Sequence, residues 1–185
     1  MIGKMMKCFT AAVAMFAVSA TVFAQMVDNP AYLEWAKYKP GTYNKREMVM
    51  DAGGQKMKTT MTMTLKEVTP EKVVIEVKTE MSMAGMPPQA PISTSIPAKI
   101  EQKDIKPINP EQMPNCKVIN KGTEDLKIGD KTYKCNWYEV EMEMQGMKMK
   151  SKMWINDEVL GKLVKNETSS PMVSTTTLVE FKIVK

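Results

Sequence analysis

Methionine is the residue that gives this chain its chemical character, because there are 20 in 185 residues and half of them fall in pairs two residues apart. Met48 and Met50, Met57, Met61 and Met63, Met81 and Met83, then Met142, Met144, Met147, Met149 and Met153 recur at spacings that place them on one side of extended strands. A thioether is soft, polarizable and carried on three rotatable bonds, so a face built from it suits three different tasks. It can fill a core wherever any apolar residue would satisfy the alternation. It can line a surface that adapts to a lipid, an acyl chain or another apolar ligand. It can also gather soft sulfur around Cu(I), for which Met142, Met144, Met147 and Met149 are the candidate ligands. The chain has no histidine, which removes imidazole as a companion copper ligand, and the three readings stand side by side.

Other chemistry finds less support. Without histidine the usual general base is missing. No G-x-S-x-G, phosphate loop or dinucleotide fingerprint occurs in the sequence. No catalytic residue or cofactor follows, and a non-enzymatic protein is expected. Glu139, Glu141 and Glu143 form a carboxylate row, but a hairpin turning at Gln145-Gly146 sets them against Lys152, Lys150 and Lys148, which makes them a solvated, neutralised face. The same register sets Trp137 against Trp154, Met144 against Met147, Met142 against Met149 and Tyr138 against Met153. A slip of one residue would undo every pairing at once.

Positioning these residues requires strands. Met57, Thr59, Met61, Met63 and Leu65 alternate with Lys58, Thr60, Thr62, Thr64 and Lys66; Val73, Ile75, Val77, Thr79, Met81 and Met83 alternate with Glu76, Lys78, Glu80 and Ser82. Period two with one wet side is the mark of a half-buried strand. Turns are expected at Gly53-Gly54, Thr69 to Lys72 and Gly129-Asp130, and strands at 117–128, 131–145, 147–155, 162–169 and 174–184. The last strand is expected to turn Thr177, Val179, Phe181 and Ile183 inward. One short helix is predicted after Asn29, a capping residue, with Pro30 at its first position and Pro40-Gly41 beyond its end. Seven of the 11 prolines fall between Pro87 and Pro114, so 85–116 is predicted to be an irregular crossing. The sum is a mostly β fold of about eight long antiparallel strands, curled into a half-barrel or barrel, with the short helix and the proline-rich segment over its concave side.

The first 24 residues have the form of a signal peptide: Lys4 and Lys7, an apolar run from Phe9 to Val22, and Val22-Phe23-Ala24 before Gln25. Cleavage after Ala24 is expected to leave one β-rich domain, 25–185, in the periplasm or secreted, with no membrane span. Two lysines and no acid leave with the signal, taking the formal charge from +5 to +3. Lysine and glutamate alternate along the rest of the chain, and such a surface offers no stripe to nucleic acid. Cys8 also leaves, and Cys116 and Cys135, an even pair in an oxidising compartment, are expected to form a disulfide. Neither the identity of an apolar small-molecule or lipid partner nor the oligomeric state follows from these residues.

From Lys121 to Lys165 the chain carries Gly122-Thr123-Glu124, a turn at Gly129, Lys134-Cys135-x-Trp137, then Trp154, Asp157-Glu158-Val159 and Leu163-Val164-Lys165. With Gly41-Thr42 and Leu65-Lys66-Glu67-Val68 upstream, this resembles a pattern of uncharacterised exported bacterial β-rich proteins. The long-stranded layout is also similar in architecture to the half-barrels of the LolA and LppX lipoprotein carriers. That resemblance implies an apolar cavity under a helical lid that binds acyl chains.

Overall fold

Period-two alternation keeps apolar side chains on one side of an extended backbone, and burying that side turns the chain into a sheet. The computed structural model describes residues 25–52, 54–82, 89–105, 107, 109–144, 146–170 and 173–184. A short strand β1 (Met26–Asp28) leads into helix α1 (Pro30–Trp35), followed by β2 (Tyr43–Ala52), β3 (Gln55–Val68), β4 (Lys72–Met81), β5 (Ile92–Pro97) and β6 (Lys99–Glu101). Single 3-10 turns at Gln102–Asp104 and Pro110–Gln112 precede β7 (Cys116–Ile128), β8 (Lys131–Met144), β9 (Met147–Ile155), β10 (Leu163–Ser170) and β11 (Val173–Lys182). Nine strands make one antiparallel sheet in the order β5-β4-β3-β2-β11-β10-β9-β8-β7, and β1 pairs with β6 in a separate ribbon. The sheet is open, ending on β5 and on β7. The segment 1–24 expected to be a signal, and Met83, lie outside the described residues.

Turn chemistry sets the hairpin registers. Asp51 faces Lys56 and Met50 faces Met57 across the β2–β3 hairpin. Glu143 faces Lys148, Glu141 faces Lys150 and Trp137 faces Trp154 across β8–β9, which is the register the Gln145-Gly146 turn predicts. Gly54 and Gly146 hold φ of +88° and +78°, a region that glycine enters without steric cost. Helix α1 starts where expected: the Asn29 side-chain oxygen accepts from the Ala31 N–H at 3.0 Å, and Pro30 follows the cap.

The structure departs from the sequence reading at four places, each with a physical cause. First, the proline-rich crossing supplies β5, an edge of the main sheet, and β6. Prolines are tolerated there because an edge strand has one side with no ladder to complete. Second, Val179 is 45% exposed while Leu178 is 1% exposed. A register shift between Leu178 and Glu180 inserts one residue and reverses the inward parity midway along β11, so Thr177 and Val179 are not the inward set. Third, Cys116 and Cys135 are free thiols. Cys116 lies opposite Met142 on β8, seven positions beyond Cys135. That is about 23 Å along a strand, against the roughly 7 Å limit for bridging two Cα positions. Fourth, the charged side of β8 and β9 is not wet throughout: Trp154 is 4% and Cys135 1% exposed.

The main core lies under α1, where Trp35 packs with Leu65, Val73, Ile75 and Leu160. A second cluster joins Cys135 and Trp154 to Val159, Val164 and Leu178, and Phe181 touches both. Leu65 to Ile75 belong to β3 and β4, whereas Leu160 sits in the loop after β9. In a flat sheet β4 and β9 would stand five strand spacings apart, about 24 Å. One six-residue helix meets both sides, so the sheet curls around it.

Candidate functional site

Four polar anchors fix α1 and the 156–162 loop over the inner face of the sheet. The Asn29 side-chain amide donates to the Pro97 carbonyl at 2.8 Å, and the Tyr32 hydroxyl to the Thr69 carbonyl at 2.8 Å, which ties α1 to the β3–β5 side. From β2, the Arg46 guanidinium Nη2 donates to the carbonyls of Leu160 at 3.0 Å and Leu163 at 3.2 Å. The Gly161 N–H between them donates to the Glu34 carboxylate of α1. Arg46 is 8% exposed. Burial lowers its pKa and the Glu34 charge opposes that shift. Gly161 has φ +75°, and a Cβ there would meet Arg46 Nη2 at 2.9 Å, so only glycine fits beneath this roof.

Between the roof and the sheet runs a half-open cleft of about 1140 Å³. Its walls are Leu33 and Tyr38 beside α1, Ile100, Ile105 and Pro107 of the former crossing segment, and Tyr138 of β8, Ile155 of β9 and Val159. Polar groups stand among them: Glu34, Lys37, Asp104, Asn136, Asp157 and Lys162. The last two pair at 2.7 Å. A cleft of this size, with apolar walls and a comparable share of polar groups, can admit a small molecule that has both characters. None of the methionines nominated from sequence lines it. The signals that could have found it are Tyr138 and Ile155, which alternate with the outward Trp137 and Trp154, and the isoleucines inside a proline-rich stretch.

The described methionines among those nominated alternate toward the inner face in two separate groups. Met48 and Met50 on β2 adjoin Met57, Met61 and Met63 on β3 and Met81 on β4. Met142 on β8 faces Met149 on β9, and Met153 faces Tyr138. Between the groups lie β11 and β10, which are polar on this face at the level of the methionines: Met48 neighbours Thr176, which neighbours Asn166, which neighbours Met153. A second row runs from Met50 through Ser174 and Thr168 to Ser151, with a hydrogen bond of 3.0 Å between the Ser151 and Thr168 hydroxyls. No described methionine side chain is fully buried; Met81 and Met147 are 41% and 52% exposed. Of the four expected copper ligands, Met142 and Met149 are half-buried and opposed, Met147 points to solvent, and the Met144 side chain lies outside what is described.

On the opposite face of β8 and β9 the row of charge pairs is only partly realised. Glu141 and Lys150 meet at 3.2 Å. The Lys152 ammonium lies 4.4 Å from the Trp137 ring centre and 4.9 Å from that of Trp154, and Lys165 caps Trp154 at 4.9 Å. Gly122, opposite Trp137, leaves room for that ring, since a Cβ would stand 2.9 Å from it. The Trp154 indole N–H donates to Glu124 at 2.9 Å. Burial pushes the Cys135 thiol up to about 11, helped by Glu124 and Asp125, and burial also raises the Cys116 thiol.

Neither a protein-family model nor a curated protein matches the chain. Among solved structures, an exported protein with a YmcC-like fold from Bacteroides fragilis is similar at 12% identity, over 78% of this chain and 97% of that one, with a TM-score of 0.46. A LolA superfamily protein from Nitrosomonas europaea is similar at 13% identity, over 86% of this chain and 94% of that one, with a TM-score of 0.26. Among the described residues no helix is long and apolar enough to cross a membrane.

Proposed function

We propose that the protein is an exported, non-enzymatic binding protein whose ligand is an amphipathic lipid, held with its acyl part in the cleft between α1 and strands β8 and β9. The observation that carries this reading is the cleft itself: about 1140 Å³, floored by Tyr138 and Ile155 and roofed by Leu33, Ile100 and Ile105. Typical ligand pockets enclose roughly 300–1,000 Å³. Tyr138 faces Met153, and Met149 and Met142 continue along the same strands, so an acyl chain longer than the cleft meets thioethers, which conform to its shape. The charged groups at the mouth, Lys37, Asp104 and the Asp157–Lys162 pair, suit a polar headgroup that stays in contact with water.

Native mass spectrometry of protein purified from its own envelope, followed by titration with a fluorescent fatty acid, tests this. A retained lipid and saturable binding are expected. Ile105→Trp, which fills the cleft from a half-buried position, should weaken the fatty acid about tenfold, or ~1.4 kcal/mol, with the circular dichroism of the sheet unchanged. Protein that retains no lipid and gives no saturable binding would return the domain to a scaffold role.

A further inference from the structure

We propose that Cys116, Met142 and Met149 form a binding site for Cu(I) at the β7 edge of the sheet. Cys116 and Cys135 are not joined by a disulfide. Freed from Cys135, Cys116 lies directly opposite Met142 on the β7–β8 pairing, and Met142 lies directly opposite Met149 on the β8–β9 pairing. Residues directly opposite share a face with Cβ atoms about 4.5–5.5 Å apart. Each pair of sulfurs can therefore reach a common metal by rotamer changes alone, since methionine has three rotatable bonds to adjust. The curl of the sheet toward this face draws the outer two, Cys116 and Met149, closer than a flat sheet would.

All three side chains are half-buried, neither locked in a core nor free in water. Their neighbours on the same face are Val118 and Val140, a facing pair of which Val140 is 1% exposed. Glu141 and Glu143 alternate to the other side of β8. They border the same hollow as Cys116 and Met142 but stand against Lys150 and Lys148, so the site offers one thiol and two thioethers, a set that favours a soft monovalent ion over Mg²⁺, Ca²⁺ and Mn²⁺. On binding, the Cys116 S–H bond breaks, a Cu–S bond forms and the proton goes to solvent; no electron is transferred. The other free thiol, Cys135, is buried on the opposite side of β8 and has no methionine partner across the β7–β8 pairing, where it faces Glu124.

The test is an anaerobic titration of the exported protein with Cu(I) against a colorimetric chelator. One equivalent should bind. Cys116→Ser should weaken it by about a hundredfold, and Met142→Leu and Met149→Leu, which keep side-chain volume, by about tenfold each. Met57→Leu, on the other methionine group, should leave affinity unchanged. X-ray absorption of the loaded protein should show a sulfur-only first shell. Equal affinity in wild type and Cys116→Ser, equal losses in Met57→Leu, or a shell of nitrogen and oxygen would each overturn the assignment.

Discussion

The two ends of strand β3 differ in what lies above them. At one end Leu65 is 0% exposed, pressed against Trp35 of α1, Val73, Ile75 and Leu160; at the other, eight residues away on the same face, Met57 is half-buried and belongs to neither core cluster. The alternation is the same at both ends, so it reports which way a side chain points and not whether anything covers it. Among the described residues a six-residue helix, the 156–162 loop and part of the proline-rich segment cover only some of the nine-stranded sheet. Branched aliphatic residues with well-defined rotamers occupy the roofed end, and flexible methionines and hydroxyl residues occupy the open one.

The strongest way to break that contrast is to truncate both ends. Leu65→Ala should cost about 3–4 kcal/mol, because it removes a fully buried side chain and leaves a cavity, whereas Met61→Ala should cost roughly 1 kcal/mol. Urea denaturation of the two variants would show it, and equal losses would mean that the methionine end is core after all. Next comes the pH dependence of the second cluster. Burial pushes the Cys135 thiol up to about 11 from an ordinary value of 9.0. The stability it represents is fully present below the unfolded value and is lost as pH rises through the folded one. Between pH 9 and 11 the wild type should lose about 1–2 kcal/mol that Cys135→Ala does not lose. Chemical denaturation across that range gives the slope, and a flat difference between the two proteins would place Cys135 in water.

A smaller effect sharpens the role of the roof. Gly161→Ala forces a side chain into a position with φ +75° and into Arg46 Nη2 at 2.9 Å, so it should cost about 1–2 kcal/mol and loosen α1. Hydrogen exchange should then rise at Gly161 and in α1 while β8 keeps its protection; unchanged protection in α1 would disconnect the roof from Arg46. The least effect is expected from Met48→Leu with Met50→Leu, within about 0.5 kcal/mol of wild type in the same urea assay, since volume is conserved at half-buried sites.

These contrasts also show what was readable in the residues. The β8–β9 register followed from one turn and a ladder of pairs around it, all within 20 residues, and the structure has it pair for pair. The β2–β3 register followed in the same way. Long-range placement did not follow. Nothing local says that β10 and β11 insert between β2 and β9, and it is this order that splits the methionines with Thr176, Asn166, Ser174 and Thr168. The shift at Val179 was equally silent, because a bulge costs one residue and leaves no compositional trace. The disulfide was argued from compartment and count, which carry no information about register. The cleft is hidden because part of its wall comes from a segment whose prolines read as a bare crossing, while Tyr138 and Ile155 look like ordinary inward positions.

An acyl chain held in the cleft beneath α1 would lie within reach of its lining residues, which photo-crosslinking can map. A fatty acid carrying a diazirine on its chain, irradiated with the exported protein and mapped by peptide mass spectrometry, should label Ile105, Tyr138 and Ile155. Labelling confined to Met57, Met61 and Met81, or none above that of heat-unfolded protein, would contradict the account.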